Sequence, residues 1–233
     1  MTSPRSALSH VPSPVTRRLT PTSAELKFFY GPMDCGKSTL ALQINHNFSR
    51  QGRHGLLLTQ QDRSGSGVIT SRVGLSDDAI EVSPSRDLQR LISDRWRAGE
   101  PVDYIIVDEA QFLSTPQVDQ LAELVDAADI DVYAFGLATD FRSQMFPGAK
   151  RLFELADAVT PMQVEVLCWC GRSGRYNGRV LDGTLVKEGS QVMVADTVSS
   201  TARSVRYQVL CRRHWRDGDL GADPHTQAVL PLT

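Results

Sequence analysis

The stretch Gly31-Pro32-Met33-Asp34-Cys35-Gly36-Lys37-Ser38 decides the fold, because it fits the pattern G-x-x-x-x-G-K-[ST]. It follows Leu26 to Tyr30, whose apolar residues predict a strand, and it precedes a predicted helix from about Ser38 to Arg50. Backbone N–H groups at a helix N-terminus favour anions, so this context indicates a phosphate-binding loop. A glycine turn of purely structural role, the alternative, explains the full spacing less well.

Three side chains of this loop have distinct expected roles. Lys37 is expected to span the β- and γ-phosphates of ATP, and the Ser38 hydroxyl is expected to bind Mg²⁺. Cys35 could be a reactive thiol, since a helix N-terminus can lower a thiol pKa. We interpret it as a small loop residue instead, because no base lies beside it in the sequence.

Strand and helix patterns alternate after the loop. The predicted segments are a strand at His54–Thr59, a helix at Arg86–Arg97, a strand at Val102–Val107, a helix at Pro116–Ala127 capped by Ser114 or Thr115, and a strand at Val132–Leu137. Such alternation predicts an α/β fold with a parallel, doubly wound sheet. Ligands of such sheets bind beyond the carboxyl ends of the strands.

Two carboxylates end the apolar strand at residues 104–107. Asp108 is expected to assist Mg²⁺ through a coordinated water, which leaves Glu109 to act on the nucleophile. If the acceptor is a hydroxyl, Glu109 is its general base; if the acceptor is water, the same residue serves an ATPase. A solvated acidic strand end is the structural alternative.

Composition and charge narrow the function classes. The 233-residue chain has a formal net charge of -2, with 41% hydrophobic and 22% charged residues. These values fit an ordinary globular protein and give no global field for collecting polyanions. No apolar run is long enough to cross a bilayer, and the first residues lack the apolar stretch of a secretory signal. We therefore expect a cytoplasmic protein with neither nucleic acid nor a membrane as a partner.

Three changes of pattern suggest the domain boundaries. Residues 1–24 contain no acidic residue and no periodicity, so we expect a disordered tail; a transit peptide fits less well because four prolines interrupt it. Residues 25–159 form the predicted nucleotide-binding domain. Residues 160–217 hold shorter, glycine-containing segments with clustered Cys and His, and residues 218–233 read as a C-terminal tail.

The second module carries a candidate metal site. Cys168-Trp169-Cys170 and Cys211-Arg212-Arg213-His214 supply three thiolates and an imidazole, a closed set for a structural Zn²⁺. Metal binding would stabilise a segment with little core of its own. Buried thiols without metal are the alternative.

Four motifs together resemble those of the type II thymidine kinases over about residues 25–217. They are the phosphate loop, Asp108-Glu109-Ala110-Gln111-Phe112, Gly136-Leu137 with Asp140-Phe141, and the Cys/His set. The resemblance implies a RecA-like parallel sheet with a small zinc domain, whose lasso loop closes over thymidine. It further implies transfer of the γ-phosphate of ATP to the 5′-hydroxyl of thymidine, with deoxyuridine possible, giving dTMP in deoxynucleotide salvage. Members of this family are usually homotetramers inhibited by dTTP.

The resemblance also assigns residues. It implies that Glu109 is the proton acceptor and that Asp108 and Gln111 belong to the ATP and Mg²⁺ site, together with Asp62 and Arg63 as the nearest match to an Asp/Arg pair that the family motif separates by one residue. It implies nucleoside contacts from Met33, Phe112, Leu137, Phe141, Val194, Ala195 and Tyr207. Phe141 as a plain core residue is an alternative that the sequence leaves open.

Two departures from the family pattern are visible. The first metal pair is C-x-C where the family usually has C-x-x-C, and the expected lasso continues into a polar insert through Ser204. The competing functions are a RecA-like ATPase with a zinc ribbon, acting on nucleic acid or a protein partner, and a nucleotide-binding protein without catalysis. The first lacks a basic face, and the second leaves Lys37 and Glu109 unexplained.

Overall fold

The computed structural model describes residues 23–60, 67–191 and 205–222. The strands are β1 Leu26–Tyr30, β2 Gly55–Thr59, β3 Val68–Thr70, β4 Ser76–Asp78, β5 Ile80–Glu81, β6 Tyr104–Asp108, β7 Asp131–Gly136, β8 Ala158–Pro161, β9 Tyr176–Leu181, β10 Thr184–Val186 and β11 Val205–Leu210. The helices are α1 Lys37–Ser49, α2 Leu88–Arg97, α3 Thr115–Ala128, α4 Pro147–Leu155 and α5 Arg212–Asp217. None of the described helices has the length and apolar character to span a membrane.

The main sheet has six strands in the order β5-β2-β6-β7-β1-β8. All of its pairings are parallel. Strand β6 is buried along its whole length, as its continuous apolar run predicts for a strand covered on both faces. This confirms the predicted parallel α/β sheet.

Helices cover both faces of this sheet. On one face, Ala41 and Leu42 of α1 pack with Ile106 and Phe135. On the other face, the apolar sides of α2, α3 and α4 form one core with residues of β1, β2, β6 and β7. The parallel strands therefore end at one common edge, and the phosphate loop, Asp108 and Gly136 all lie there.

The second module contains the antiparallel sheet β10-β9-β11, followed by α5. Its buried core is small: Cys168, Leu210 and Cys211, with three partly buried neighbours. Strand β8 of the main sheet runs to Pro161, beyond the boundary expected at residue 159. Leu220 packs on the core of the module, beyond the boundary expected at residue 217.

The two expected tails lie mostly outside the described residues, which begin at residue 23 and end at residue 222. Within the described part, the Ala24 amide donates to Asp129 Oδ1 at 3.3 Å. The indole Nε1 of Trp169 donates to the Asp219 carbonyl at 3.1 Å. These short ends of the expected tails therefore pack on the folded protein.

Candidate active site

The phosphate loop closes tightly between β1 and α1. The Gly31 amide donates to the Gly136 carbonyl at 3.3 Å, which joins the loop to the end of β7. A Cβ at Gly31 would lie 2.5 Å from Cys35 Sγ, so this position admits only glycine without rearrangement. Gly36 has φ 80° and caps α1, whose first residue is Lys37. The loop is therefore shaped to present backbone N–H groups at the helix N-terminus.

The Lys37 ammonium lies inside this loop. Its Nζ donates to the Pro32 carbonyl at 2.8 Å and lies 3.7 Å from Cys35 Sγ. Burial raises the pKa of the Cys35 thiol, and Lys37 only partly opposes that rise. The thiol is thus neutral at pH 7, which agrees with interpreting Cys35 as a loop residue rather than a nucleophile.

Ser38 and Asp108 face each other across the carboxyl edge of the sheet. The Ser38 hydroxyl donates to Asp108 Oδ2 at 2.7 Å. Burial, and then the charge of Glu109, raise the pKa of Asp108 to about 6. A hydroxyl that donates its proton to a carboxylate keeps a lone pair for a cation, so Ser38 can bind Mg²⁺ while Asp108 assists through a coordinated water. The positive charge of Mg²⁺ would also offset the cost of burying Asp108.

Glu109 stands where the chain turns at the end of β6. It has φ 54° and ψ 34°, a left-handed conformation that a non-glycine residue seldom adopts. The Gln111 side chain donates from Nε2 to Glu109 Oε2 at 2.5 Å and accepts from the Leu137 amide at 2.9 Å. Gln111 is buried, so it connects the Glu109 carboxylate rigidly to the end of β7.

Gly136 makes this bridge possible. A Cβ at Gly136 would lie 2.7 Å from Gln111 Oε1 and 3.0 Å from the Gln111 backbone nitrogen. The glycine at the end of β7 therefore leaves the space that the Gln111 amide occupies. Both described hydrogen bonds of that amide go to protein groups, Glu109 and Leu137.

The aromatic residues assigned to the nucleoside follow β6 and β7 or lie in β11. Phe112 is half-buried and packs edge-to-face on Phe146, with ring centroids 5.4 Å apart. Phe141 is almost completely buried, and the Arg179 guanidinium carbon lies 3.6 Å from its ring centroid. Tyr207 is half-buried, and its hydroxyl accepts from Arg179 Nε at 3.0 Å. Arg179 thus brings Phe141 and Tyr207 together from the two modules.

Direct hydrogen bonds join the second module to the main domain. The Met33 amide of the phosphate loop donates to Asn177 Oδ1 at 2.8 Å, and Trp215 Nε1 donates to the Phe141 carbonyl at 3.0 Å. Asn177 and Arg179 occupy alternate positions of β9, so both side chains extend from the same face of the strand.

The four candidate metal ligands converge. One ligand atom from each of Cys168, Cys170, Cys211 and His214 lies within 4.8 Å of every other. Cys168 Sγ is 3.3 Å from His214 Nδ1, and Cys170 Sγ is 4.0 Å from Cys211 Sγ. The edges of a tetrahedron with Zn–S bonds of about 2.3 Å are about 3.8 Å long. The donor set and its spacing therefore fit Zn²⁺, and the C-x-C pair still directs both sulfurs to one point.

Trp169, the residue inside the C-x-C pair, covers the candidate metal centre. Its ring stacks on His214 with centroids 4.3 Å apart and an angle of 10° between the planes. The backbone amide of His214 lowers the pKa of the Cys211 thiol, while burial raises that of Cys168. A lowered thiol pKa favours the thiolate that binds metal.

Four residues assigned from the sequence lie outside the described residues: Asp62, Arg63, Val194 and Ala195. Conversely, the structure brings Asn177, Arg179 and Trp215 to the site, and sequence reasoning did not single them out. The sequence pattern that could have indicated Asn177 and Arg179 is their spacing of two residues in a short strand, which places both side chains on one face.

Comparison with known proteins agrees with this geometry. Residues 24–215 match the family described as thymidine kinase. A thymidine kinase of Streptomyces avermitilis is 51% identical over 207 residues, covering 89% of this chain and 95% of the relative. A thymidine kinase of Streptomyces coelicolor is 52% identical over 213 residues, covering 90% and 98%. One of Cutibacterium acnes is 54% identical over 198 residues, covering 85% and 91%.

Proposed function

We propose a set of residue roles on the premise that the chain belongs to the thymidine kinase family. The protein is an ATP-dependent nucleoside kinase that phosphorylates thymidine. This membership decides between a kinase and the ATPase alternative raised by the sequence. Within this activity, Glu109 takes the proton of the 5′-hydroxyl, Lys37 and the loop at residues 31–38 hold the phosphates of ATP, and β9 and β11 complete the nucleoside site.

The observation that carries the proposal is the fixed position of Glu109. Its carboxylate is held by Gln111. It adjoins Asp108, which is bonded to Ser38 of the phosphate loop. A base must lie within hydrogen-bond reach of the proton that it removes, and a base held in place loses little entropy in doing so. Glu109 is therefore poised between the γ-phosphate and an incoming hydroxyl.

The phosphate side of the reaction depends on charge. Lys37 and the N-terminus of α1 would counter the negative charge that spreads over the transferred phosphoryl group. Mg²⁺, when bound, supplies further positive charge beside the phosphates. Ser38 and Asp108 would hold it, and their 2.7 Å separation supports this assignment. Gln111 belongs to this site by keeping Glu109 in position.

The nucleoside side would use apolar and aromatic contacts. Met33, Phe112, Leu137, Phe141 and Tyr207 are the described residues that we assign to the base and sugar; Val194 and Ala195 are assigned from the sequence alone. A flat pyrimidine gains from aromatic neighbours. An apolar pocket discriminates poorly on one methyl group, so we expect deoxyuridine to be a second substrate.

Zinc has a structural role in this proposal. Cys168, Cys170, Cys211 and His214 would hold Zn²⁺ as a closed site, with no position left for substrate. Zn²⁺, when bound, ties the segment before β9 to α5. Because Trp215 of α5 donates to the Phe141 carbonyl, the metal would also support the nucleoside site.

Regulation, assembly and location complete the proposal. Thymidine triphosphate carries both the base that fits the nucleoside site and phosphates that fit the loop, so we expect it to inhibit. The resemblance to the family supports a homotetramer. A cytoplasmic location is supported by the Cys/His set, whose arrangement suits a metal site in a reducing compartment rather than a pair of disulfides.

The substitution Glu109→Gln tests the proposal. We expect kcat for thymidine phosphorylation to fall by about 10²–10⁴-fold, because a positioned base contributes that much to proton transfer. The affinity for ATP should stay within about twofold, since the loop is untouched. The control is Glu100→Gln, an exposed carboxylate after α2, which should keep full activity. A Glu109→Gln enzyme with parental kcat would remove the assigned role.

A further inference from the structure

Arg179 is a fully buried arginine, exposed by only 1%. Within the described ranges 23–60, 67–191 and 205–222, it forms no ion pair. Burying a guanidinium costs free energy unless its N–H groups are satisfied. The side chain therefore stays in this place only because its contacts compensate for the lost hydration.

Three elements provide those contacts. Arg179 donates from Nε to the Tyr207 hydroxyl at 3.0 Å. It also donates from Nη1 to the Ser190 carbonyl at 2.8 Å and from Nη2 to the Gln191 carbonyl at 3.0 Å. Its guanidinium carbon lies 3.6 Å from the centroid of the Phe141 ring. One planar group thus joins the chain after β7, the strand β11 and the segment after β10.

Each of these elements belongs to the nucleoside side of the site. Phe141 and Tyr207 are two of its proposed residues, and Ser190 and Gln191 lead into residues 192–204, where the sequence assigns Val194 and Ala195. A planar guanidinium can stack on a ring and donate in several fixed directions at once. An ammonium cannot replace it, because it is a point charge without a flat face.

A second hydrogen bond supports the same arrangement. Gln191 Nε2 donates to Asp140 Oδ2 at 3.2 Å, next to Phe141. Asp140 is itself paired with Arg142, and the distance from Asp140 Oδ2 to Arg142 Nη2 is 2.8 Å. Gln191 is therefore held twice, by Arg179 through its backbone carbonyl and by Asp140 through its side chain.

We propose that Arg179 is the positioning residue of the nucleoside site. It holds the Phe141 ring, the Tyr207 hydroxyl and the carbonyls of Ser190 and Gln191 in one relative geometry, and it acts through them rather than on the reacting atoms. This inference rests on the proposed nucleoside site. It predicts that losing the guanidinium weakens thymidine use and spares ATP, since the described contacts of Arg179 include no residue of the phosphate loop.

The test compares Arg179→Lys and Arg179→Met with the parent enzyme. We expect the KM for thymidine to rise about 10- to 100-fold in both, because small displacements of positioning groups have effects of this size. The KM for ATP should change by less than about twofold. Arg175→Lys and Arg175→Met are the matched controls, since Arg175 lies exposed just before β9, and both should behave as the parent. Zinc content and thermal unfolding identify variants that fail to fold.

A second experiment uses Tyr207→Phe, a smaller change that is less disruptive to folding. Tyr207→Phe removes only the hydroxyl that accepts from Arg179 Nε. In a double-mutant cycle on the KM for thymidine, the rise in the double variant should fall short of the product of the two single rises, because the two residues share one of the contacts of Arg179. Independent, multiplying effects would contradict the inference.

Two results would overturn the role of Arg179. One is a folded, zinc-containing Arg179→Lys enzyme with a parental KM for thymidine; the other is an equal rise in KM for both substrates. Either result, combined with loss of turnover in Glu109→Gln, would remove this inference and leave the proposed function standing. If Glu109→Gln instead kept the kcat of the parent enzyme, Glu109 would not be the general base.

Discussion

The phosphate side and the nucleoside side of the site are built in different ways. On the phosphate side, the contacts of the proposed magnesium and base residues lie within the main domain, Ser38 to Asp108 and Glu109 through Gln111 to Leu137, and the second module adds the bond from the Met33 amide to Asn177. On the nucleoside side, Phe141 of the main domain depends on Arg179 and Trp215 of the second module. The first side is held by the large core of the sheet, and the second by a module whose hydrophobic cluster, among the described residues, has three buried members. Loss of structure on the nucleoside side should therefore leave ATP binding on the phosphate side largely intact.

Removal of zinc is the strongest way to separate the two sides. We expect a chelator to reduce thymidine phosphorylation by more than about 100-fold, since structural zinc contributes roughly 10–16 kcal/mol to folding in small zinc peptides. Binding of a fluorescent ATP analogue should persist, because the main sheet has its own core. Added Zn²⁺ should restore activity. Parallel loss of ATP binding and activity would show that the two sides are not independent.

A substitution at Gln111 should damage the phosphate side alone. Gln111→Leu leaves Glu109 without its donor and the Leu137 amide without its acceptor. We expect kcat to fall about tenfold and the free energy of unfolding to fall by about 1–3 kcal/mol, as for a buried group left unsatisfied. Kinetics and urea unfolding measure the two effects.

Gln117→Leu is the matched control for Gln111→Leu. Gln117 is also buried, and its side chain accepts from the Ser114 amide and donates to the Ser83 and Arg86 carbonyls at the start of α3. It should lose similar stability and keep its kcat. If both variants lose kcat equally, the effect of Gln111 is general instability rather than loss of Glu109 positioning.

The smallest expected effect lies at the rim of the phosphate loop. Asp34 adds a negative charge to a loop that takes a triphosphate, and Arg72 Nη2 lies 2.7 Å from its Oδ1. Arg72→Ala should raise the KM for ATP by about two- to fivefold, the range of an exposed ion pair. Asp34→Asn in the same chain should reverse the rise, and added salt should reduce it. Equal KM values for the single and double variants would exclude this charge effect.

The sequence predicted the phosphate side well because its signals are local. The loop pattern, the apolar run before Asp108 and the alternation of strands and helices each depend on neighbouring residues, and the parallel sheet confirms the fold that they predicted. The observed start of a helix differs from the predicted one where an N-cap residue determines it. The predicted helix at Arg86 begins at Leu88, because the Asp87 side chain accepts from the Arg90 amide.

The nucleoside side could be predicted only in part, because its contacts are distant in the sequence. An arginine in a short strand is ordinarily a surface residue, and Arg179 is buried because residues distant from it in the sequence, such as Phe141 and Tyr207, contact it. Helix α4 and strand β8 were also missed. Each is short, and α4 begins with Pro147-Gly148, a pair that is typical of turns.

The most direct test of the central claim is the distance from the Glu109 carboxylate to the 5′-oxygen of bound thymidine. It can be measured in a crystal structure of the complex with thymidine and a non-hydrolysable ATP analogue. We predict about 2.6–3.2 Å, the reach of a general base. A carboxylate directed into solvent, with thymidine bound and Gln111 still bonded to Leu137, would contradict the account.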